Sequence, residues 1–455
     1  MKYILIATSL LLCSALLLGC SASAPDPTEP DPHFTSIHPD YPDMSPYPNE
    51  MDFVDPKTGI FDDEGFSEVY DAWRSNRDLR ANIPLGYAEN LRPYFQRSIP
   101  AFLSNTAENT VCSPLNVYMA LALLAESTDG SSRQEILTLL DAADIESLRK
   151  QADQLWRAHY MDDGASACVL ANSLWLDDSV SYNDSTAGLL ASNYYASIFH
   201  GDLGSDVTNE LFRSWLNEQT KGLLEDQVQN IQMDPATVMS LASTIYYRAK
   251  WSNEFHAAQN TEGIFHTPGA EQETTFMNQT LTYGPYFWGD DFGAVSLRLE
   301  DGSSMWLVLP DEGFTPADLL DSGHALALIL GDSRPYENQK SLRVNLSMPK
   351  FDIVGDSQLN NAMKELGITS VFEHTSANFT PILPDTNAWL DTVNHAARVK
   401  VDEEGVEAAA YTAMMVAGAA MPPEDEMDFV LDRPFLFVIT SQDNMPLFAG
   451  IVNEP

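Results

Sequence analysis

One stretch near the C-terminus limits what this chain can become. Glu403-Glu-Gly-Val-Glu-Ala-Ala-Ala-Tyr-Thr-Ala-Met-Met-Val-Ala-Gly-Ala-Ala-Met-Pro-Pro423 begins acidic, passes one glycine, runs through small and apolar residues and stops at two prolines. Glutamate and alanine favour a helix, yet nothing before the prolines prevents the segment from being an exposed loop or a strand. Side chains alternate along a strand with period two. As a strand, one face is Val406, Ala408, Ala410, Thr412, Met414 and Val416, with no charge and no proline. The other face, Glu407, Ala409, Tyr411, Ala413 and Met415, carries the charge and the bulky aromatic ring and is expected to look toward solvent. A segment with two homes points to a conformational device rather than a fixed catalytic site.

The chain offers much to build on. It has 455 residues, 44% of them hydrophobic, enough for a large core. It carries 24 basic against 66 acidic side chains, a net charge of −42, which argues against nucleic acid and against direct adsorption on an anionic membrane. At the N-terminus, Lys2 followed by the apolar run Ile4 to Leu18 reads as a secretion signal. Leu17-Leu18-Gly19-Cys20 is similar to a bacterial lipobox, so residues 1–19 are expected to be removed and Cys20 to carry lipid. Residues 20–84 read as a Pro/Asp-rich tether with a short helix over Phe61–Arg80. Prolines at 25, 27, 30, 32, 39, 42, 46 and 48 deny its first part a helix or a place in the core. Cys112 and Cys168 sit in apolar contexts and read as buried free thiols.

From about Leu85 a compact domain is expected. Asn90–Ser104, Leu115–Glu126 and Phe212–Leu224 have helical apolar spacing. Val238–Tyr247, Ser304–Pro310, Leu342–Met348, Phe435–Ile439 and Leu447–Val452 read as strands. Helices come mainly first and strands later, so the class is α+β. Nine histidines fall in no metal-binding spacing, and no Gly-x-Ser-x-Gly elbow or phosphate-cradling loop is present. Neither an enzyme nor a metal or other cofactor is expected.

An ordered series of motifs spans the domain. It comprises Asn109-Thr-Val-Cys-Ser-Pro-Leu-Asn116, Gly130-x-x-x-x-Glu135-Ile, Leu170-Ala-Asn-Ser-Leu-Trp-Leu176 and Trp215-Leu-Asn-x-x-Thr220-x-Gly222. Tyr246-Tyr-Arg-Ala-Lys-Trp251-x-x-x-Phe255, Leu309-Pro-Asp-Glu-Gly313, Met348-Pro-Lys-Phe351 and Leu366-Gly-Ile368 follow. Glu403-Glu-Gly405, Asp432-Arg-Pro-Phe-Leu-Phe437 and Pro446-Leu-Phe-Ala-Gly450 close the chain. In this series residues 85–455 resemble the serpins. The resemblance implies a serpin fold, with a large central mixed β-sheet, additional sheets, surrounding helices and an exposed reactive-centre loop over 403–423. It implies a suicide inhibitor, acting as a monomer, that forms a covalent acyl-enzyme with a target serine protease while the cut loop enters the central sheet. Glu403, Glu404, Gly405, Val406, Glu407, Ala408, Ala409 and Ala410 would form the loop hinge. The scissile bond would be Ala419–Ala420, with Gly418–Ala419 as rival, which suits elastase-like or subtilisin-like proteases preferring small residues.

Ser113, Asn116, Ser243, His395 and Trp251 match the family's sheet-opening cluster. There the chain departs from the pattern: Asn116 stands where serine is usual and Ser243 where asparagine is usual, an exchange that could keep a hydrogen bond between them. Val406 likewise stands where threonine or serine is usual. The resemblance leaves two rival functions, a non-inhibitory surface-tethered binding module and a cross-class inhibitor of cysteine proteases. With the lipobox it implies a cell-surface protein held by its lipid anchor, or one released from the cell.

Overall fold

Ser113 and Pro114 start the helix around which the domain is built. The Ser113 hydroxyl accepts from the Asn116 backbone N–H at 3.2 Å, and proline at the first helical position sacrifices no helical hydrogen bond. Between Pro114 and Ser127 every residue except Ala120 is buried, the pattern of a helix apolar on all sides. The acid inside it, Glu126, accepts from Arg149 Nη2 at 2.8 Å, Arg149 Nε at 3.0 Å and the Tyr194 hydroxyl at 2.9 Å. Its charge is therefore matched where water is excluded.

The structure, a computed structural model, describes residues 34–81, 83–84, 86–88, 90–229, 231–331, 338–390, 393–406 and 425–455. In chain order the elements begin with β1 (Thr35–Ile37), α1 (Asp63–Ala81), α2 (Arg92–Phe102), β2 (Thr110–Cys112), α3 (Pro114–Ser127), α4 (Gly130–Leu139) and α5 (Ile145–His159). They continue with β3 (Met161–Asp162), β4 (Ala167–Asp177), α6 (Asp184–Asn193), β5 (Ala196–Gly201), α7 (Asp206–Gln219), α8 (Glu225–Val228) and β6 (Met239–Lys250). Next come β7 (Thr261–His266), β8 (Glu271–Trp288), β9 (Phe292–Arg298), β10 (Ser304–Pro310), α9 (Pro316–Ser322), α10 (His324–Ile329) and β11 (Gln339–Pro349). The last are β12 (Phe351–Gln358), α11 (Asn360–Glu365), β13 (Asn394–Val401), β14 (Gly405–Val406), β15 (Glu426–Val430), β16 (Phe435–Thr440) and β17 (Pro446–Val452).

Two sheets enclose the core. The first runs β1-β5-β4-β6-β14-β13-β12, with β3 added on β4. It is mixed, because β4 and β5 are parallel while its other pairs are antiparallel. The second runs β15-β11-β8-β9-β10-β16-β17-β2, with β7 on β8. α3 packs between them, against β6 on one side and β17 on the other.

Two expectations are corrected here. The segment after Phe34 is not kept off the core. β1 pairs with the edge strand β5, Phe34 stacks on Phe199, and Tyr41 stacks on Trp156 and Tyr160. Proline-rich chain is extended, and an extended chain is what a sheet edge accepts. The helix expected over Phe212–Leu224 begins earlier, at Asp206, because Ser205 caps it by accepting from Thr208 N at 3.2 Å. It ends by Thr220, where Lys221 and Gly222 take positive φ and break the repeat.

Glu135 shows what one motif position does. Its carboxylate accepts from Thr369 N at 2.7 Å and Ser370 N at 2.8 Å, and from both side-chain hydroxyls, tying α4 to the turn at Ser370–Phe372. Partial burial opposes the charge, but these donors outweigh it and hold the carboxyl below its usual range. Hydrogen bonds to a charged acceptor contribute about 1.5–3 kcal/mol. Glu135→Ala is expected to destabilise the native state by about 2 kcal/mol in a denaturant melt, with Glu135→Gln between the two.

Candidate functional site

The site begins where β13 ends. After Val401 the chain turns at Asp402–Glu404 and re-enters the sheet as β14, between β6 and β13. Gly405 lies opposite Lys250, and Val406 lies opposite Ala249 on one side and Val401 on the other. A Cβ on Gly405 would stand 2.4 Å from the Ala249 carbonyl oxygen, so only glycine fits there. Val406 is 2% exposed and belongs to the main core. Beyond these two residues no ladder joins β6 to β13 among the described residues.

The turn is held from outside. Trp251 donates its indole N–H to the Asp402 carbonyl at 2.9 Å and its backbone N–H to the Glu404 carbonyl at 3.1 Å. Phe255 N donates to the Glu403 carbonyl at 3.1 Å. The Glu403 carboxylate receives Lys350 Nζ and Asn260 Nδ2, each at 2.6 Å. Burial works against the Glu403 charge, but those two donors outweigh it and hold its carboxyl below the usual range.

A second group lies farther down β6. His395 Nε2 accepts from the Ser113 backbone N–H at 3.0 Å, which requires that nitrogen to be unprotonated. Burial alone pushes the His395 pKa down to about 4, so the ring is neutral at physiological pH. Ser243 Oγ stands 2.6 Å from Asn116 Oδ1 and 2.7 Å from Asn172 Oδ1. One hydroxyl proton cannot serve two carbonyls, and Asn116 Nδ2 is buried with no partner among the described residues. Rotating the Asn116 amide by half a turn gives the Ser243 hydroxyl one donor and one acceptor and gives Asn116 Nδ2 a partner, and is the arrangement we assign. Asn116 then donates to Ser243, Ser243 to Asn172, and Asn172 Nδ2 to the Tyr194 carbonyl at 3.2 Å. Next to this relay is a gap of about 50 Å3, lined by Val117, Leu241, Leu390 and Val393 as well as by Asn116, Ser243 and His395.

Ser113, Asn116, Ser243 and His395 are thus brought together, with the Asn116–Ser243 contact made by the exchanged residue types. Trp251 is not with them. It stands eight positions along β6 from Ser243, beyond the strand's end, about 26 Å away at 3.3 Å per residue, and it serves the hinge turn. Of the hinge residues, Glu403, Glu404, Gly405 and Val406 are placed. Glu407, Ala408, Ala409 and Ala410 lie outside the described residues, as do Thr412, Met414, Val416, the bond Ala419–Ala420, and Cys20. The second loop face, Glu407, Ala409, Tyr411, Ala413 and Met415, also lies outside the described residues. On β6 itself, Ala242 packs in a cluster with Phe212, Trp215 and Leu216 of α7, so that helix covers the side of β6 on which Ala242 lies. Sequence reasoning passed over Asn172, whose signal was a lone amide in the apolar run of β4. It also missed Lys350 and Asn260, for which no local pattern gave a signal.

In this geometry the segment after Glu404 starts as a short strand, β14, set between β6 and β13 of the main sheet. The chain belongs to the serpin family: the family model described as "Serpin (serine protease inhibitor)" matches residues 99–455. Serpins are generally protease inhibitors, although some are non-inhibitory. Serpin-ZX of Arabidopsis thaliana is 28% identical over 365 residues, covering 76% of this chain and 92% of its own. An uncharacterised serpin-like protein of Thermococcus kodakarensis is 26% identical, covering 78% and 82%. The crystal structure of Arabidopsis AtSerpin1 in its native stressed conformation matches with a TM-score of 0.69 at 26% identity, covering 82% of this chain and 99% of that one. The native thermophilic serpin tengpin matches in fold with a TM-score of 0.71 at 24% identity, covering 82% and 95%.

Proposed function

We propose that this chain is a suicide inhibitor of serine proteases that captures its target when the cut loop extends β14 down the slot between β6 and β13. The observation that carries this reading is the register of β14. β6 has twelve residues, and Gly405 and Val406 occupy two of its positions, leaving ten. Stepping the antiparallel register along brings Glu407 opposite Arg248, Thr412 opposite Ser243 and Val416 opposite Met239, the last residue of the strand. The apolar face of the loop therefore has the length of the open strand. It also has the right parity. Val406, Ala408, Ala410, Thr412, Met414 and Val416 would line up with Ala249, Tyr247, Ile245, Ser243, Leu241 and Met239, the side of β6 that faces the main core.

Insertion is favourable on these terms. Each ladder hydrogen bond gained contributes about 0.5–1.5 kcal/mol. Burying Met414 and Val416 contributes about 1.5–3 kcal/mol each. On the β13 side the same register brings Thr412 beside His395, so its hydroxyl would arrive at the polar cluster rather than against bare hydrocarbon. Cleavage at Ala419–Ala420 would leave enough chain to fill the slot, and alanine there suits a protease with a shallow primary pocket. The acylated protease is the partner, and the lipobox cysteine Cys20 would hold the inhibitor at the outer cell surface.

Incubation with an elastase-like serine protease tests this reading. A covalent complex that survives boiling in detergent, with cleavage mapped to Ala419–Ala420, is the expected result. The remaining cleaved inhibitor should melt at a clearly higher temperature than the intact chain. Clean cleavage with neither complex nor added thermal stability would overturn the proposal in favour of a non-inhibitory binding module.

A further inference from the structure

Ahead of the segment that the family model matches, residues 99–455, stands a small hairpin–helix unit that the inhibitory reading does not use. Val54 bridges Phe61, and the turn between them is fixed by Asp55. The Asp55 Oδ1 accepts from Lys57 N at 2.7 Å and Thr58 N at 3.1 Å, and Gly59 supplies a φ of +66°. α1 follows directly. Phe53 and Phe61 both touch the Phe66 ring at 5.5 Å between centroids, and Phe66 stacks on Tyr70 at 5.9 Å. α1 in turn packs on α5, and Trp73 donates its indole N–H to the Ser45 carbonyl at 3.2 Å. The unit is therefore fastened to the domain before anything binds it, which lowers the ordering cost of a contact.

Its outer surface is unusually apolar. Met51 is 66% and Ile60 68% exposed, and Phe61 and Val69 are each exposed by more than a third. Four of the twelve exposed large hydrophobic side chains among the described residues thus fall between positions 51 and 69, a concentration that marks a contact surface. The exposed acids Asp52, Asp63 and Glu64 lie beside them in the chain. The unit also stands close to the loop hinge. Burial raises the Glu300 carboxyl pKa, Lys250 opposes the rise and the charge of Glu50 adds to it, so the turn Glu50–Phe53 is near Glu300. Glu300 N donates to the Lys250 carbonyl at 3.0 Å, and Lys250 lies opposite Gly405. We propose that Met51, Ile60 and Phe61, with Asp52, Asp63 and Glu64, form a second contact for the protease held on the loop, selecting one whose surface sets basic residues beside an apolar patch. This rests on the reading of residues 403–423 as a loop that takes a protease. Charge favours this occupant over others: a second copy would set these acids against their own kind, and anionic lipid would meet like charge as well.

The test uses the full chain and an elastase-like protease of basic surface, and reads the second-order rate at which intact chain is lost. Met51→Gln combined with Ile60→Gln changes two side chains that stand mostly in solvent, so the melting temperature should hold. The cleavage rate should fall by at least about fivefold, as expected for truncating the apolar centre of a contact. Asp52→Asn combined with Glu64→Gln should lower it by a smaller factor and flatten its dependence on salt. The rate is defined whether the cut chain ends as covalent complex or as free product, so cleavage without complex would sink the inhibitory reading and leave this comparison standing. Equal rates in the parent and the Met51→Gln, Ile60→Gln variant would overturn the assignment. So would a variant that loses vesicle binding or self-association while its cleavage rate holds, because the surface would then belong to a lipid or to a second copy.

Discussion

Val406→Arg is expected to convert the inhibitor into a substrate. Val406 is 2% exposed, wedged between Ala249 and Val401, with its side chain in the main core. The Val406 side chain lies among the apolar residues of the main core, where a buried unpaired charge costs several kcal/mol. The loop can avoid that cost by staying out of the sheet, so the intact protein should still fold. After cleavage the same cost falls on the insertion step, which competes with hydrolysis of the acyl-enzyme. Each 1.4 kcal/mol added to a barrier slows a step about tenfold. The fraction of encounters ending in a detergent-stable complex should fall by at least about tenfold, while the rate of loop cleavage stays near that of the unaltered protein. Val406→Thr keeps the size and the strand preference and should inhibit within a few-fold of the parent. Should Val406→Arg form complex as efficiently as the parent, the register proposed for the inserted loop is wrong.

What the sequence made legible, and what it did not, follows from how local each signal is. α3 and β10 could be read directly, because a serine–proline start before an apolar run and a short apolar run stopped by Pro310 are contained in a few neighbouring residues. The alternation after Gly405 was equally local, and Val406 lies on the core side as that alternation requires. The exchange of Asn116 and Ser243 implied a contact that the structure contains, because one amide and one hydroxyl can satisfy each other from either strand or helix. Other features depended on distant partners. Nothing in Pro-rich composition tells a free tether from a strap paired with an edge strand, so the docking of Phe34 and Tyr41 was hidden. Trp251 was grouped with the wrong neighbours because the motif gives its position along the chain, not its distance from Ser243 along an extended strand. The cover of α7 over Ala242 was likewise invisible, being a contact between elements far apart in sequence.

Acidification is expected to cost native stability through His395, in a window set by its two pKa values. In the unfolded chain the ring titrates at its ordinary value of about 6.5. In the fold, burial pushes it down to about 4. The folded state therefore favours the neutral ring, and the unfolded state binds the proton first. The contribution is complete above pH 6.5 and is lost as pH falls toward about 4, amounting to about 3 kcal/mol at 1.36 kcal/mol per pKa unit. The structural cause is specific. A proton on Nε2 would turn the acceptor of the Ser113 N–H into a second donor facing it, at the helix start that supports Asn116 and Ser243. Other groups titrate as well. Burial raises the carboxyls of Asp163 and Asp301, which adds stability as pH falls. His159 has its pKa raised, because Asp443 and the Leu155 carbonyl outweigh its burial, so its contribution is lost only as pH rises. The comparison that isolates His395 is therefore between the parent and His395→Gln, whose amide oxygen can still accept from Ser113. Denaturant melts of both across pH 4–7 should show the variant losing markedly less stability than the parent. Parallel curves would mean that His395 does not carry the acid sensitivity of this cluster. A steeper loss in the parent would place this part of the acid sensitivity at the junction of α3, β6 and β13, beside the slot the loop is proposed to fill.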